Sequence, residues 1–367
     1  RTNLRFLVFL VNILRAVYEH ADLLRAGIAS AENDLRLGAK EAPPAIISAF
    51  IGSHLTHILN EIEKKVKKGK INQALQEELN LNISKIPEIL RDNTDRNRTS
   101  PFAFTGNKFE FRAVGSSDTC ARAMIILNTI LADQLRQFSH EVDELIAQKV
   151  RKDEAIFRVL KKYITESKSI RFEGNSYSQE WIGEATRRGL STARSTPRCM
   201  KAYISGKTIR LFMGHQVFTE KELHARYEIK LESFARKLQI ESRMIGDLAK
   251  NHLIPTAIKY QNTLIENAMG LKEVLDAKTY VKLSKNQVDT IKEISDHINQ
   301  VKINVDLMLQ ERKKANRLVS VEEMAYAYDE KVRPYFDIIR YHVDKLELMV
   351  DDKLWPLPKY REIMFLK

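Results

Sequence analysis

From Thr219 onward, apolar residues recur at steps of three and four, and that spacing limits the chain's folding options more than any other feature. Tyr227, Leu231, Phe234, Leu238, Ile245 and Leu248 form one stripe. Ile291, Ile294, Ile298, Val301, Val305 and Met308 form a second. Val332, Phe336, Ile339, Val343, Leu346 and Val350 form a third. A period near 3.6 puts each set on one helical face, so the stripes read as seams for antiparallel helix packing in a bundle. Such stripes are core, and no chemistry is assigned to them. With 13 Gly and 9 Pro in 367 residues, the rest also favours helices over an all-β sandwich. Helices are expected over 4–26, 45–68, 119–149 and 152–167, with part of 71–90 helical. Another helix is expected to start at Glu180-Trp181, after the polar and aromatic loop 171–178. Trp355-Pro356-Leu357-Pro358 should leave the last helix as an extended tail.

One segment departs from this pattern: Asn97-Arg98-Thr99-Ser100-Pro101-Phe102-Ala103-Phe104-Thr105-Gly106-Asn107-Lys108-Phe109-Glu110-Phe111-Arg112. Thr105-Gly106-Asn107 is turn chemistry, and strict alternation follows it, which predicts a β-hairpin. Phe109 and Phe111 then face one side, expected to be core. Lys108, Glu110 and Arg112 face the other as a plus-minus-plus row, and Arg98 adds a further cation. Two readings stand. The row could simply meet water, as the polar face of an amphipathic strand does. Or its carboxylate could hold a divalent cation while its cations hold polyphosphate oxygens.

The length allows two or three domains with a sizeable core. Two cysteines, Cys120 and Cys199, argue against a disulfide framework and for a reducing, cytoplasmic setting. No CxxC or Cys/His cluster suggests zinc. The early apolar run 6–11 is too short to cross a bilayer, so no membrane role is expected. A net charge of +12 raises nucleic acid or anionic substrates as partners. The basic residues are nevertheless spread along helices, and the densest run, 63–70, reads as a helix end, so no nucleic-acid partner is expected. The chain starts at Arg1 and enters a core-like helix almost at once, which reads as an entry in mid-domain.

The second informative stretch is Asn33-Asp34-Leu35-Arg36-Leu37-Gly38-Ala39-Lys40-Glu41-Ala42-Pro43-Pro44, within a loop expected over 27–44. A charged loop stiffened by two prolines is either plain surface or a flap over a basic pocket. Together with the hairpin, it resembles glutamine synthetase, in particular the long bacterial type III form. Ala21-Asp22-Leu23-Leu24-Arg25, the stretch 174–181 and the stretch 246–257 are similar to that family as well.

The resemblance implies ATP-dependent ligation of ammonia to glutamate through γ-glutamyl phosphate, with ATP and Mg²⁺ (or Mn²⁺) as cofactors. It implies glutamate and ammonium as substrates and self-association into large rings. By motif position, Arg36 would hold a carboxylate of glutamate and Glu41 would be the flap carboxylate. Arg98 and Arg112 would contact transferring phosphate, Lys108 would donate to nucleotide phosphate, and Glu110 would ligate the metal. Lys108 stands where many relatives carry Arg, Leu35 where His is expected and Lys40 where Asn is expected. An additional Arg expected shortly after Asn97-Arg98 is absent. No second cluster of Glu and His completes a metal site, so the remaining ligands are expected upstream of Arg1.

The implied fold is α+β and helix-dominated, with a partial antiparallel sheet of a catalytic domain followed by a helical bundle. Residues 1–150 would be the C-terminal part of that catalytic domain, with flap loop 33–44 and hairpin 97–112. Residues 151–218 would be a helical connecting region, 219–350 the bundle and 351–367 the tail. The competing reading is a non-catalytic helical assembly or scaffold module, motivated by the same seams.

Overall fold

A computed structural model describes residues 2–39, 42–65, 99–116 and 118–365. The expected helix over 71–90 and the run 66–70 lie outside the described residues. The fold is α+β with helix dominating, as expected, and it divides into two units, Arg1–Lys230 and Leu231–Lys367. Among the described residues, no helix is long and apolar enough to cross a membrane.

The first unit begins with α1 (Thr2–Glu19), α2 (Ala21–Gly27) and α3 (Ala31–Arg36). The single helix expected over 4–26 is thus broken at His20, whose φ of −121° and ψ of 28° leave the helical region. The apolar pattern runs through this break because both halves are buried: α1 packs on the long helices Ala121–Ala147 and Lys152–Glu166, and α2 on the first of these and on the short helix Thr196–Met200. The expected loop 27–44 likewise contains α3, capped by Ser30, whose hydroxyl accepts from the Asn33 N–H.

The helix expected over 45–68 is also shorter. The buried run 46–50 instead contains strand β1 (Ala49–Phe50), and α4 (Ser53–Lys65) starts only afterwards. Gly52 between them sits at φ +85°, a conformation that closes off a continuous helix and suits glycine. Strand β2 (Phe102–Phe104) pairs parallel to β1 and antiparallel to β3 (Phe109–Phe111), so the small sheet is mixed.

Helix α5 (Ala121–Ala147) and α6 (Lys152–Glu166) follow and pack on each other and on α1. Leu7, Leu10, Val11 and Leu14 of α1 are at most 3% exposed in that core. Helix α7 (Gln179–Arg187) is capped by Ser178, and its buried Trp181 stacks on Phe172 at 3.6 Å between ring centroids. Then come α8 (Thr196–Met200), with Pro197 in its first turn, α9 (Gly206–Gly214) and α10 (Glu220–Leu248), which ends in the second unit.

In the second unit, the π-helical segment Ala249–Leu253 leads into α11 (Ile254–Val274). Asp276 caps α12 (Ala277–Ala315) by accepting from the Lys278 and Thr279 N–H groups. After α13 (Val321–Ala327), a second π segment, Tyr328–Val332, leads into α14 (Pro334–Met349). The long α12 packs against both α11 and α14. The predicted seams are the packed faces: Ile294, Val301, Val305 and Met308 of α12 and Leu346 of α14 have no exposed surface. Short α15 (Tyr360–Met364) ends the described chain.

Candidate functional site

The hairpin forms where the sequence places it. Phe102 pairs with Phe111, Ala103 with Glu110 and Phe104 with Phe109. Gly106 takes φ +97° at the turn, and the Thr105 N–H donates to the Lys108 carbonyl at 2.9 Å. Register then fixes the two faces. On one, Phe109 stacks on Phe102 at 4.7 Å and tilts against Phe104 at 5.1 Å. Phe109 and Phe111 are only half-buried, and an apolar cavity of about 320 Å³ lies behind the hairpin, lined in part by Phe6, Phe9, Phe104, Phe109 and Leu131.

On the other face, Glu110 stands over the buried Ala103 between the two predicted bases. One carboxylate oxygen accepts from Arg112, with Nε at 2.9 Å and Nη2 closer still; the other lies 3.5 Å from Lys108 Nζ. The hydrogen bond from Arg112, with help from Lys108, holds the Glu110 carboxyl below the ordinary carboxylate range. The side chains of Glu110 and Arg112 are 31% and 26% exposed, so the row is partly sheltered, whereas Lys108 at 66% reaches into solvent.

The start of the motif is structural. Ser100 is buried; its hydroxyl accepts from Ser48 at 2.9 Å and donates to the Phe172 carbonyl at 3.0 Å. These bonds tie the entry of β2 to Ser48, just before β1, and to Phe172, whose N–H donates to the Ala49 carbonyl of β1. The Arg112 N–H donates to the Pro101 carbonyl at 2.7 Å, which closes the far end of the pair.

The base of the flap stretch meets this hairpin. Arg36, the last residue of α3, donates through Nη2 to the Ala113 carbonyl at 3.0 Å, one residue past Arg112. Helix α3 is itself held by a buried ion pair: Asp34 accepts from Arg25 Nη2 at 3.0 Å, and both side chains are at most 1% exposed. The other Asp34 oxygen accepts from the Thr196 N–H, while Arg25 also donates to the Ala193 and Arg194 carbonyls at 3.2 and 2.8 Å. Burial pushes the Asp34 carboxyl above its usual range even with Arg25 beside it. Beyond Arg36 the chain turns back, with Leu37 bridging to Ala42.

Four of the six predicted site residues, Arg36, Lys108, Glu110 and Arg112, are therefore brought to two adjoining segments. Glu41 and Arg98 lie outside the described residues, as does Lys40. Leu35 is 52% exposed. Arg25, Asp34 and Asn33 were not singled out from the sequence as site residues. An Arg that follows an apolar pair in a short helix, nine positions before an Asp in a capped helix, is the signal that would mark the first two.

Among the described residues, no group of three or more His, Cys, Asp or Glu stands together as a metal-binding set. Glu110 does offer the oxygen-donor carboxylate that Mg²⁺ or Mn²⁺ takes, so it fits as one ligand of such a cation.

Residues 155–272 match the model of the family described as the glutamine synthetase C-terminal domain. A protein of Bacteroides fragilis (strain YCH46) named glutamine synthetase is 50% identical over 365 residues, covering 100% of this chain and 50% of that protein. A type-3 glutamine synthetase of Dictyostelium discoideum is 36% identical over 366 residues, covering 100% of this chain and 49% of that protein. A glutamine synthetase of Butyrivibrio fibrisolvens is 34% identical over 369 residues, covering 99% and 50%. The resemblance carried by the two motifs thus extends along the whole chain. The chain spans about half the length of the curated relatives it matches.

Proposed function

We propose that this chain supplies part of the active site of a glutamine synthetase, an ATP-dependent ligase that joins ammonia to glutamate through γ-glutamyl phosphate. The observation that carries the reading is the meeting of the two motifs: Glu110 sits between Lys108 and Arg112, and Arg36 is bonded to the carbonyl next to Arg112. Phosphoryl transfer to a carboxylate needs the negative charge on both partners neutralised, and water excluded because an acyl phosphate hydrolyses. Arg36 holds a carboxylate of glutamate. Arg112 and Arg98 neutralise the transferring phosphoryl group, and Lys108 holds nucleotide phosphate as a point charge rather than as a fork. Glu41 is the flap carboxylate that shields the acyl phosphate and takes a proton from ammonium.

Glu110 would hold Mg²⁺ or Mn²⁺, which would supply positive charge to offset that of the nucleotide phosphates. The Arg112 bond that keeps Glu110 ionised suits it to that task. Residues 1–150 form part of the catalytic domain, 151–218 a connecting region, 219–350 a helical bundle and 351–367 its tail. Glutamate and ammonium are the substrates, the location is cytoplasmic, and the longer protein associates with itself into rings.

A coupled ADP-release assay tests the reading. Residues 1–367 alone are expected to give negligible turnover. A polypeptide of the relatives' full length carrying this chain is expected to release ADP in a glutamate- and ammonia-dependent manner. Glu110→Ala in that polypeptide should lower the rate at least about 100-fold, a size typical for loss of a charge-stabilising group. Near-normal turnover of the variant with Mg²⁺, or robust turnover of residues 1–367 alone, would count against it.

A further inference from the structure

We propose that Asn33 is the positioning residue that aims Arg36 at its carboxylate ligand; the inference rests on the reading of Arg36 as a carboxylate binder. Asn33 is 2% exposed and all of its amide is used. Nδ2 donates to the Ile28 carbonyl at 2.7 Å and to the Ala113 carbonyl at 2.9 Å. Oδ1 accepts from Arg36 Nε at 3.0 Å. The two carbonyls fix the amide's orientation, because only the NH₂ end can face them. The oxygen is thereby left facing Arg36 and no other way.

The consequence falls on the guanidinium. Its Nε–Nη2 edge is taken by Asn33 Oδ1 and the Ala113 carbonyl, 3.0 Å from each. A planar fork held along one edge cannot turn, and its Nη1 end is presented in a fixed direction. Because Ala113 follows Arg112, the same carbonyl sets that direction relative to the Lys108–Glu110–Arg112 row. Holding a binding group in place before the ligand arrives removes an ordering cost from binding.

A purely structural role for Asn33 would act through Nδ2, which ties α3 to Ile28 and Ala113. The positioning role acts through Oδ1. Asn33→Asp loses both donor bonds but keeps an acceptor, which the Arg36 charge itself can orient, whereas Asn33→Ala loses everything, so the pair separates the two roles.

The test uses residues 1–367 labelled with ¹⁵N-arginine, with glutamate as the probe, and reads the Arg36 Nε–H exchange rate and the glutamate-induced shift of Arg36. Wild type should show slow Nε–H exchange. Asn33→Ala should speed that exchange and weaken glutamate affinity at least tenfold. Asn33→Asp should stay within about threefold of wild type. Equal loss in both variants, or no loss in either, overturns the positioning role. Should Asn33→Ala fail to fold, Asn33→Asp decides by exchange alone: retained protection supports the proposal, and loss overturns it. If glutamate leaves wild-type Arg36 unmoved, the carboxylate reading fails. The exchange rates still judge the positioning separately, with unchanged protection in Asn33→Ala overturning it.

Discussion

In the unit Arg1–Lys230, charged and titratable side chains go inside: Arg25, Asp34, Arg171 and His20 are 1%, 7%, 8% and 7% exposed. In the unit Leu231–Lys367, the buried polar residues among those described are Ser242 and Ser284, and the core is otherwise apolar. The two cores solve different problems. An apolar seam such as that of α12 gains stability from burial and tolerates small shifts along its length. Its register is set by a few cross-helix bonds, among them Gln287 Nε2 to the Leu264 carbonyl at 2.8 Å and His297 Nδ1 to His342 Nδ1 at 2.9 Å. A buried ion pair adds little net stability but leaves one arrangement, because any displacement strands a charge. The pair Arg25–Asp34 holds α3, and α3 carries Arg36 to the hairpin. The placement of the site thus depends on the costlier kind of contact.

That contrast can be broken most forcefully at Arg25. Arg25→Met leaves the Asp34 carboxylate buried without its counter-charge and should destabilise the first unit by about 4 kcal/mol in denaturant unfolding. A loss below about 1 kcal/mol would mean that the pair does not hold α3. Hydrogen exchange should show the effect confined to 1–230. In the second unit, Leu346→Ala empties a fully buried seam position and should lose about 3 kcal/mol, seen as faster exchange in 277–349. Exchange unchanged there would contradict the seam assignment.

Acid separates the units further. Burial, with Lys207 beside it, holds His20 down to about 4 from an ordinary 6.5. A folded value below the unfolded one contributes stability that is present above 6.5 and lost as the pH falls toward 4. Between pH 7 and pH 5 the first unit should lose about 2 kcal/mol from this group. His20→Gln should flatten the midpoint-against-pH curve over that window; an unchanged slope would sink the assignment. His342 is also lowered, first by burial and then by His297, so the second unit should weaken in the same direction. The smallest effect belongs to exposed pairs. Lys162→Ala removes a 3.0 Å contact to Glu141 and should change stability by less than about 1 kcal/mol.

The difference between the regions also explains what could be read beforehand. The second unit was legible because an apolar seam repeats with the helix, and every predicted stripe residue from Val332 to Val350 lies on a packed or partly covered face. The hairpin was legible because alternation and Gly106 leave one register. The break at His20, strand β1 and helix α3 were not. Where a segment is buried throughout, as 46–50 is, apolar content no longer reports a period. The partners that decide these places are distant in sequence: Thr196 bonds Asp34 162 residues away, and Phe172 bonds Ser100 72 residues away. The motif residues of the candidate site were legible from their resemblance, and the buried residues that place them were not.

The proposed function stands or falls on whether the Glu110 carboxylate serves a divalent cation and nucleotide. Mn²⁺ binding in the presence of ADP, followed by water-proton relaxation in the full-length polypeptide, measures this for wild type and Glu110→Gln. The account predicts affinity at least tenfold weaker in the variant, with the fold intact. Equal affinity in the two proteins would contradict it.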